Sequence, residues 1–314
     1  MKKYVFGIDI GGTTVKIGFF TCDGVLKDDW EIKTDTTGNG SNILKDIYDS
    51  VMSKLKELSI DKDEVEGIGI GLPGPVKKDG TVLRAVNLGW GVFNIEEEFS
   101  KLSGLKVKAG NDANVAALGE MYKGGGRGCL DMVMITLGTG IGGGIIIDGK
   151  IHPGVNGAAG EIGHIAIQDP EKESKSCGCG KKGCIEQYGS ANGIVLTANR
   201  FLEDYDKETA LKGYDKLNSK IIFDEARNGD QAALEIVEKF YDMIGWQAAT
   251  IATVVDPERF VVGGGMSKAG QMLIDGIKEH YKKYAFHGTI GAEFSLAELG
   301  NKAGMYGAAK LIIG

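Results

Sequence analysis

Tyr4-Val5-Phe6-Gly7-Ile8-Asp9-Ile10-Gly11-Gly12-Thr13-Thr14-Val15-Lys16-Ile17-Gly18-Phe19-Phe20 reads as strand, tight turn, strand. Aromatic and β-branched residues fill both arms. The glycine pair permits a turn whose backbone can approach a ligand closely, and Asp23-Gly24 marks the next turn. The same order returns at Met132–Leu137, Gly138-Thr139-Gly140, Ile141–Ile147 and Asp148-Gly149. In that register Ile8-Asp9-Ile10-Gly11 falls on Ile135-Thr136-Leu137-Gly138. A hairpin repeated at the start of each half predicts a duplicated, two-lobed fold. Helical spacing covers 41–58, 95–103, 113–122, 191–201, 231–255, 268–284 and 303–313, with short strands at 67–70, 105–109 and 260–262. Residues 203–220 are charged and irregular and read as a surface helix or loop. This alternation predicts an α/β class with open, mixed sheets.

The chain of 314 residues is long enough for two cores, and its 42% apolar and 25% charged content is that of a globular protein. A net charge of −7 argues against a nucleic-acid or anionic-membrane partner, which would favour a basic surface. Asp9 interrupts the first apolar run too early for a signal core, and no apolar run approaches the roughly 20 residues of a membrane span. Three of the five cysteines crowd into 177–184, which fits reduced thiols and a metal site better than a disulfide framework. These features read as cytoplasmic. Glycine is the outlier, 50 residues against five prolines, and its clusters at strand ends suggest turns shaped around something bound.

Two glycine motifs fail on context. Gly138-x-Gly140-x-x-Gly143 has the letters of a dinucleotide fingerprint, but a β-branched run follows where a helix is required. Gly144-x4-Gly149-Lys150 resembles a P-loop, yet Ile151 stands where a magnesium-binding hydroxyl is needed. What survives is the pair of hairpin turns. Gly11, Gly12 and Thr13 offer amides and a hydroxyl to phosphate beside the Asp9 carboxylate, which could orient hydrated magnesium. Gly138, Thr139 and Gly140 offer a second cradle without a carboxylate. Either turn alone could be an ordinary hairpin. Gly263-Gly264-Gly265 joins a strand to a helix, a plausible slot for a nucleoside.

Cys177-x-Cys179-x4-Cys184 with His164 thirteen residues upstream supplies the donors of a closed, structural zinc site, with His152 a rival fourth ligand. Glu161 lies three residues before His164 and Glu186 two after Cys184, so a metal would stiffen both carboxylates. Two carboxylates and an imidazole, rigidly held, suit several hydroxyls and point to a sugar; surface acids near a metal clip are the plainer alternative. Asn111-Asp112 closes one strand and opens a helix. Asp112 reads either as an N-cap worth about 1 kcal/mol or as a general base at a strand's C-terminal end.

Taken in order, Asp9–Thr13, Gly71-Leu72-Pro73-Gly74, Asn87-Leu88-Gly89-Trp90, Gly110-Asn111-Asp112-Ala113-Asn114, 137–144, Gly157-Ala158-Ala159-Gly160-Glu161-Ile162-Gly163-His164 and the 177–186 knuckle resemble the ROK family of sugar kinases, and within it the bacterial glucokinases. The resemblance spans essentially the whole chain. It implies a two-lobed actin-like ATPase (ribonuclease H-like) fold with a zinc knuckle, a small lobe over 1–110 rejoined by the last helix at 301–314, and a larger lobe over 111–300. It also implies Asp112 as the base for a sugar 6-hydroxyl, with Asn111, Glu161, His164 and Glu186 on the other hydroxyls and Asn87 and the Gly74 turn closing the opposite wall. Gly11, Gly12, Thr13, Gly138, Thr139 and Gly140 would grip the phosphates of ATP, Gly264 and Gly265 the adenosine, and Asp9 the magnesium. Zinc would sit on His164, Cys177, Cys179 and Cys184, and the partner chain would be a second copy in a homodimer. The charged insertion 169–176 would alter only the knuckle's outer face. Other expectations from the same resemblance are a kinase for another hexose or an N-acetylhexosamine, and a non-catalytic sugar-sensing repressor. The repressor is disfavoured by the acidity and by the start of the phosphate hairpin at Tyr4.

Overall fold

The computed structural model describes residues 2–169, 171, 173 and 175–314. Its strands are β1 (Tyr4–Ile10), β2 (Thr14–Thr21), β3 (Leu26–Lys33), β4 (Val65–Leu72), β5 (Thr81–Val82), β6 (Phe93–Asn94), β7 (Lys106–Asn111), β8 (Met132–Leu137), β9 (Ile141–Ile147), β10 (Lys150–Ile151), β11 (Arg259–Gly263) and β12 (Glu293–Leu296). Its helices are α1 (Thr37–Gly40), α2 (Ile43–Glu57), α3 (Ile95–Ser103), α4 (Asp112–Lys123), α5 (Glu186–Gly189), α6 (Ala191–Glu203), α7 (Ser219–Arg227), α8 (Gln231–Val255), α9 (Gln271–Tyr284) and α10 (Ala303–Ile313). Among the described residues no helix is long and apolar enough to cross a membrane.

Two five-stranded sheets run in the orders β3-β2-β1-β4-β7 and β10-β9-β8-β11-β12. The correspondence is one to one: in each, the repeated first strand sits in the middle, with its hairpin partner on one side and a parallel strand on the other. The duplication read from the sequence is therefore present in the topology. Strands β3 and β12 escaped the sequence reading because both lie at sheet edges. In β3 every second residue is exposed, so its apolar count is low.

The residues group into two compact units, 1–130 with 144–160 and 298–314, and 131–143 with 161–297. The boundary expected near 110 falls inside the first unit because α4 packs on α10, which itself lies on β1 and β4. Close approach explains that packing. A Cβ on Gly7 would stand 2.1 Å from the Met305 carbonyl oxygen, and one on Gly69 1.7 Å from that of Ala308. Part of the glycine surplus thus seats a helix directly on strand backbone; it does not all serve turns. The opposite face of this sheet is covered by α2 and α3 through Ile47, Val51, Leu55 and Phe99. In the second unit α8, apolar on most sides, is buried along its length as its composition predicts, between α7 and α9.

Candidate functional site

In the first unit, β1 delivers Asp9 to the turn Gly11–Thr13. The Gly11 N–H donates to Thr14 O (2.9 Å), while Thr34 donates through its hydroxyl to Gly11 O (2.7 Å) and through its N–H to Thr13 O (2.9 Å). The turn's carbonyls are thus tied back, and among the described residues the Gly12 and Thr13 amides make no backbone bond. Asn87 stands alongside, its Cβ 3.7 Å from where a Gly12 Cβ would be, on a turn held by buried Leu88 and by the Trp90 indole donating to Gly40 O (3.0 Å). Burial pushes the Asp9 carboxyl up to about 6, Lys16 opposes the rise and the Asp112 charge adds to it. Two carboxylates this close in potential, beside unpaired amides, form a donor set suited to a hydrated divalent cation.

At the head of α4 the structure corrects the capping assignment. The N-cap is Asn111, extended at φ −60° and ψ 142°, whose Oδ1 accepts from the amides of Ala113 (3.1 Å) and Asn114 (3.2 Å). Its Nδ2 donates to Gly74 O (3.2 Å) and to Asp112 Oδ1 (3.0 Å). Asp112 is the first helical residue, and its Oδ1 also accepts from Ala113 N (2.8 Å). Capping is Asn111's duty, so Asp112 does not owe its place to it. Gly74, at φ 101°, shapes the turn that receives Asn111.

In the second unit, Gly138-Thr139-Gly140 repeats the arrangement. Gly138 N–H donates to Gly140 O (3.0 Å), Ala191 N–H donates to Gly138 O (2.8 Å), and Asn192 Nδ2 reaches Thr139 O (3.4 Å). Thr136, at the position matching Asp9, accepts from Gly142 N (3.2 Å). Strand β9 then follows, as the rejection of both rival phosphate motifs requires. Gly264, at φ 84°, fits tightly against the end of β8, since a Cβ there would lie 2.5 Å from the Leu137 oxygen. The helix expected from residue 268 begins at Gln271, because Gly265–Ala269 forms a 3₁₀ turn ended by Gly270 at φ 73°. That turn and α7 line a small, largely apolar pocket with Phe223, Met266, Ser219 and Lys268. Its α7 wall was not legible in the sequence, where 219–227 follows a charged, irregular stretch without a break.

The histidine and three cysteines converge. His164 Nδ1 lies 3.7 Å from Cys177 Sγ, Cys179 Sγ lies 3.6 Å from Cys184 Sγ, and all four donor atoms are within 4.8 Å of one another. A tetrahedron with Zn–S of about 2.3 Å and Zn–N of about 2.0 Å has edges of roughly 3.6–3.8 Å, so two of the edges already match a zinc shell. His152, the rival ligand, is not in this group. Burial and the neighbouring thiols push Cys184 up to about 12, while an amide bond from Lys181 lowers Cys179. A buried thiol of that kind requires a cation to be a thiolate.

Around the cluster, Glu161 and His164 share the expected single turn, Ile162–His164, with Glu161 Oε2 3.7 Å from His164 Nε2. Glu186 starts α5 and is fixed at both oxygens: Oε1 lies 3.7 Å from Cys177 Sγ, and Oε2 accepts the Ile141 amide (3.0 Å). Gln247 was missed by sequence reasoning. It is fully buried on α8 and donates to Ile162 O (2.8 Å), bracing the turn between Glu161 and His164. No local pattern marks one glutamine in a 25-residue apolar helix. Within the insertion 169–176, residues 170, 172 and 174 lie outside the described residues. Glu173 is held by the Tyr188 hydroxyl and by Arg200 (3.5 Å), which keep it down at about 2.

The ROK family signature matches residues 5–314. The chain belongs to the ROK family. A glucokinase of Halalkalibacterium halodurans is 42% identical over 99% of this chain and 95% of its own. An N-acetylgalactosamine kinase of a Shewanella species is 32% identical over 98% of this chain and 96% of its own. Among solved structures, a ROK family glucokinase from Streptomyces griseus in complex with glucose and AMPPNP superposes with a TM-score of 0.72 at 34% identity, covering 98% of both chains. The mixed α/β fold matches that of the ROK sugar kinases, and this chain's Cys/His cluster is consistent with a zinc site.

Proposed function

We propose that this chain is an ATP-dependent hexokinase whose acceptor is the 6-hydroxyl of glucose. The observation that carries the reading is the head of α4: Asn111 takes the cap and orients Asp112, so the aspartate is held in place without being the group that ends the helix. Asp112 accepts the proton of the 6-hydroxyl as its oxygen attacks the γ-phosphorus in line. The new O–P bond forms as the bridging bond to ADP breaks, and ADP leaves with the electron pair. The unbonded turn amides of Gly12 and Thr13, and those of Thr139 and Gly140, bind phosphate oxygens. Magnesium, when bound, neutralises charge developing on the transferred group, and Asp9 holds its water shell. Gly264 and Gly265 border the adenosine, with the Phe223–Met266 pocket against the base. Glu161, His164, Glu186, Asn111, Asn87 and the Gly74 turn accept and donate to the remaining hydroxyls.

Zinc on His164, Cys177, Cys179 and Cys184 would hold the segments that carry the sugar-binding carboxylates and would take no part in phosphoryl transfer. An N-acetylhexosamine is the second reading of the acceptor, supported by the full-length similarity to an N-acetylgalactosamine kinase. The proposal includes a cytoplasmic homodimer, checked by sedimentation. The deciding experiment is ADP release over a panel of hexoses and N-acetylhexosamines with ATP as donor. Glucose should give the highest kcat/KM, and no turnover with any sugar would overturn the reading.

A further inference from the structure

The Glu120 side chain has no task in the scheme above, yet it is among the most completely enclosed charged groups in the chain. It lies on α4, eight residues after Asp112, and is fully buried. Its Oε2 accepts the amides of Gly125 (2.9 Å) and Glu298 (2.9 Å), and its Oε1 accepts that of Leu299 (2.9 Å). Among the described residues it makes no ion pair. Gly124 leaves it room, since a Cβ there would stand 1.9 Å from Oε2. Burial of a carboxylate is costly unless hydrogen bonds satisfy it, and an apolar side chain would tie α4 to its neighbour by packing alone. What the carboxylate adds is direction: three N–H groups on two segments must meet two oxygens.

One of those segments, 298–299, leads through the 3₁₀ turn Gly300–Lys302 into α10. Helix α10 touches both carboxylate-bearing elements at backbone range. A Cβ on Gly304 would stand 2.6 Å from Asp9 Cγ, one on Gly307 1.7 Å from Val115 O on α4, and one on Gly119 of α4 2.1 Å from Ala303 O. Contacts this close leave little axial slack. The register of α10 on α4 therefore sets how Asp9 on β1 stands to Asp112, and Glu120 pins that register at its start.

We propose that Glu120 is a positioning residue for phosphoryl transfer, holding α10 in register on α4 so that the Asp9 and Asp112 carboxylates keep a working separation. This rests on the hexokinase reading. The test is Glu120→Gln, whose amide must point NH₂ at one of the donor N–H groups. At a temperature where the variant is fully folded, kcat with glucose should fall about 10- to 100-fold, the range expected for a misplaced catalytic group. The acid limb of the kcat profile should also move, because the repulsion between Asp9 and Asp112 depends on their separation and because Lys16, the cation facing Asp9, itself donates to Asn301 O (3.5 Å) on the turn that Glu120 pins. Glu120→Asp, which keeps the charge, should lose less. Zinc content should match wild type in both. A folded Glu120→Gln with wild-type kcat and acid limb overturns the proposal. If neither variant folds, Glu120 is a folding residue and the proposal is equally overturned. Absence of sugar phosphorylation by the wild-type protein would instead remove the hexokinase reading, so the two failures are distinct.

Discussion

The two repeated hairpins have the same skeleton and differ in where their carboxylate comes from. Both turns tie their carbonyls back into their own unit and leave the tip amides without a backbone partner. The first carries the Asp9 carboxylate, pressed by α10 and raised by burial. The second carries Thr136 at that place, its hydroxyl spent on Gly142, and borrows a carboxylate from elsewhere in the chain, Glu186, which grips the Ile141 amide. Duplication therefore supplied two turns of one shape, and only the first carries a carboxylate on its own strand. In the proposed reaction the first turn takes the metal-bearing phosphate group, and the second lies next to Glu186, which reaches the Cys/His cluster.

The comparison breaks most sharply at the carboxylate next to the first hairpin. Asp112→Asn should cut kcat by about 10²-fold or more, as loss of a general base does, while Asn111 continues to cap α4 and circular dichroism stays unchanged. Near-normal turnover would leave Asp112 a structural residue. On the side of the second hairpin, Cys179→Ser should weaken zinc binding by at least about 10- to 100-fold and raise KM for glucose, as should chelation, with metal content read by plasma emission. An unchanged sugar affinity would separate the cluster from the sugar. Glu186→Gln should raise KM for glucose about 10-fold, the scale of one charge-assisted hydrogen bond, with KM for ATP less affected.

The effect read in stability is the most informative about the difference between the turns. The folded Asp9 carboxyl is raised to about 6 from an ordinary 3.8, so between those values the folded state binds the proton that the unfolded state has lost. Stability should fall as pH rises from about 4 to 6. Asp9→Asn should remove that loss and stabilise the fold by up to roughly 3 kcal/mol at pH 7. The gain should vanish below pH 4, as melting temperatures across that range would record. Activity should run the other way, increasing in the wild type as Asp9 ionises. Thr136→Ala, at the matching place in the other hairpin, should show no such pH dependence.

Much of this was legible in the chain itself. The hairpin repeat appears in the alternation around Gly11-Gly12 and Gly138-x-Gly140, and α3, α8 and α10 begin and end where their apolar spacing says. The cysteine knuckle was legible because thiols are rarely crowded without a metal. Edge strands β3 and β12 were not: in β3 every second residue meets solvent and Asp28 interrupts the alternation of Leu26, Trp30 and Ile32, while β12 is four residues long. Nor was α7, whose amphipathic face is short and flanked by charge.

Local spacing and residue chemistry were enough to reveal the hairpin duplication, the four residues of the Cys/His cluster and the candidate base. The three-dimensional contacts settled that Asn111 and not Asp112 caps α4, and that glycines at 7, 69, 304 and 307 let α10 meet strand backbone, the Asp9 carboxylate and the backbone of α4. They alone also showed that buried Gln247 braces Ile162 and Glu120 gathers three amides. Apart from the Asn111 cap and the Gly125 amide, which are local, these are contacts between segments far apart in the chain, where a hydrogen bond or a missing Cβ acquires meaning only from what lies opposite it.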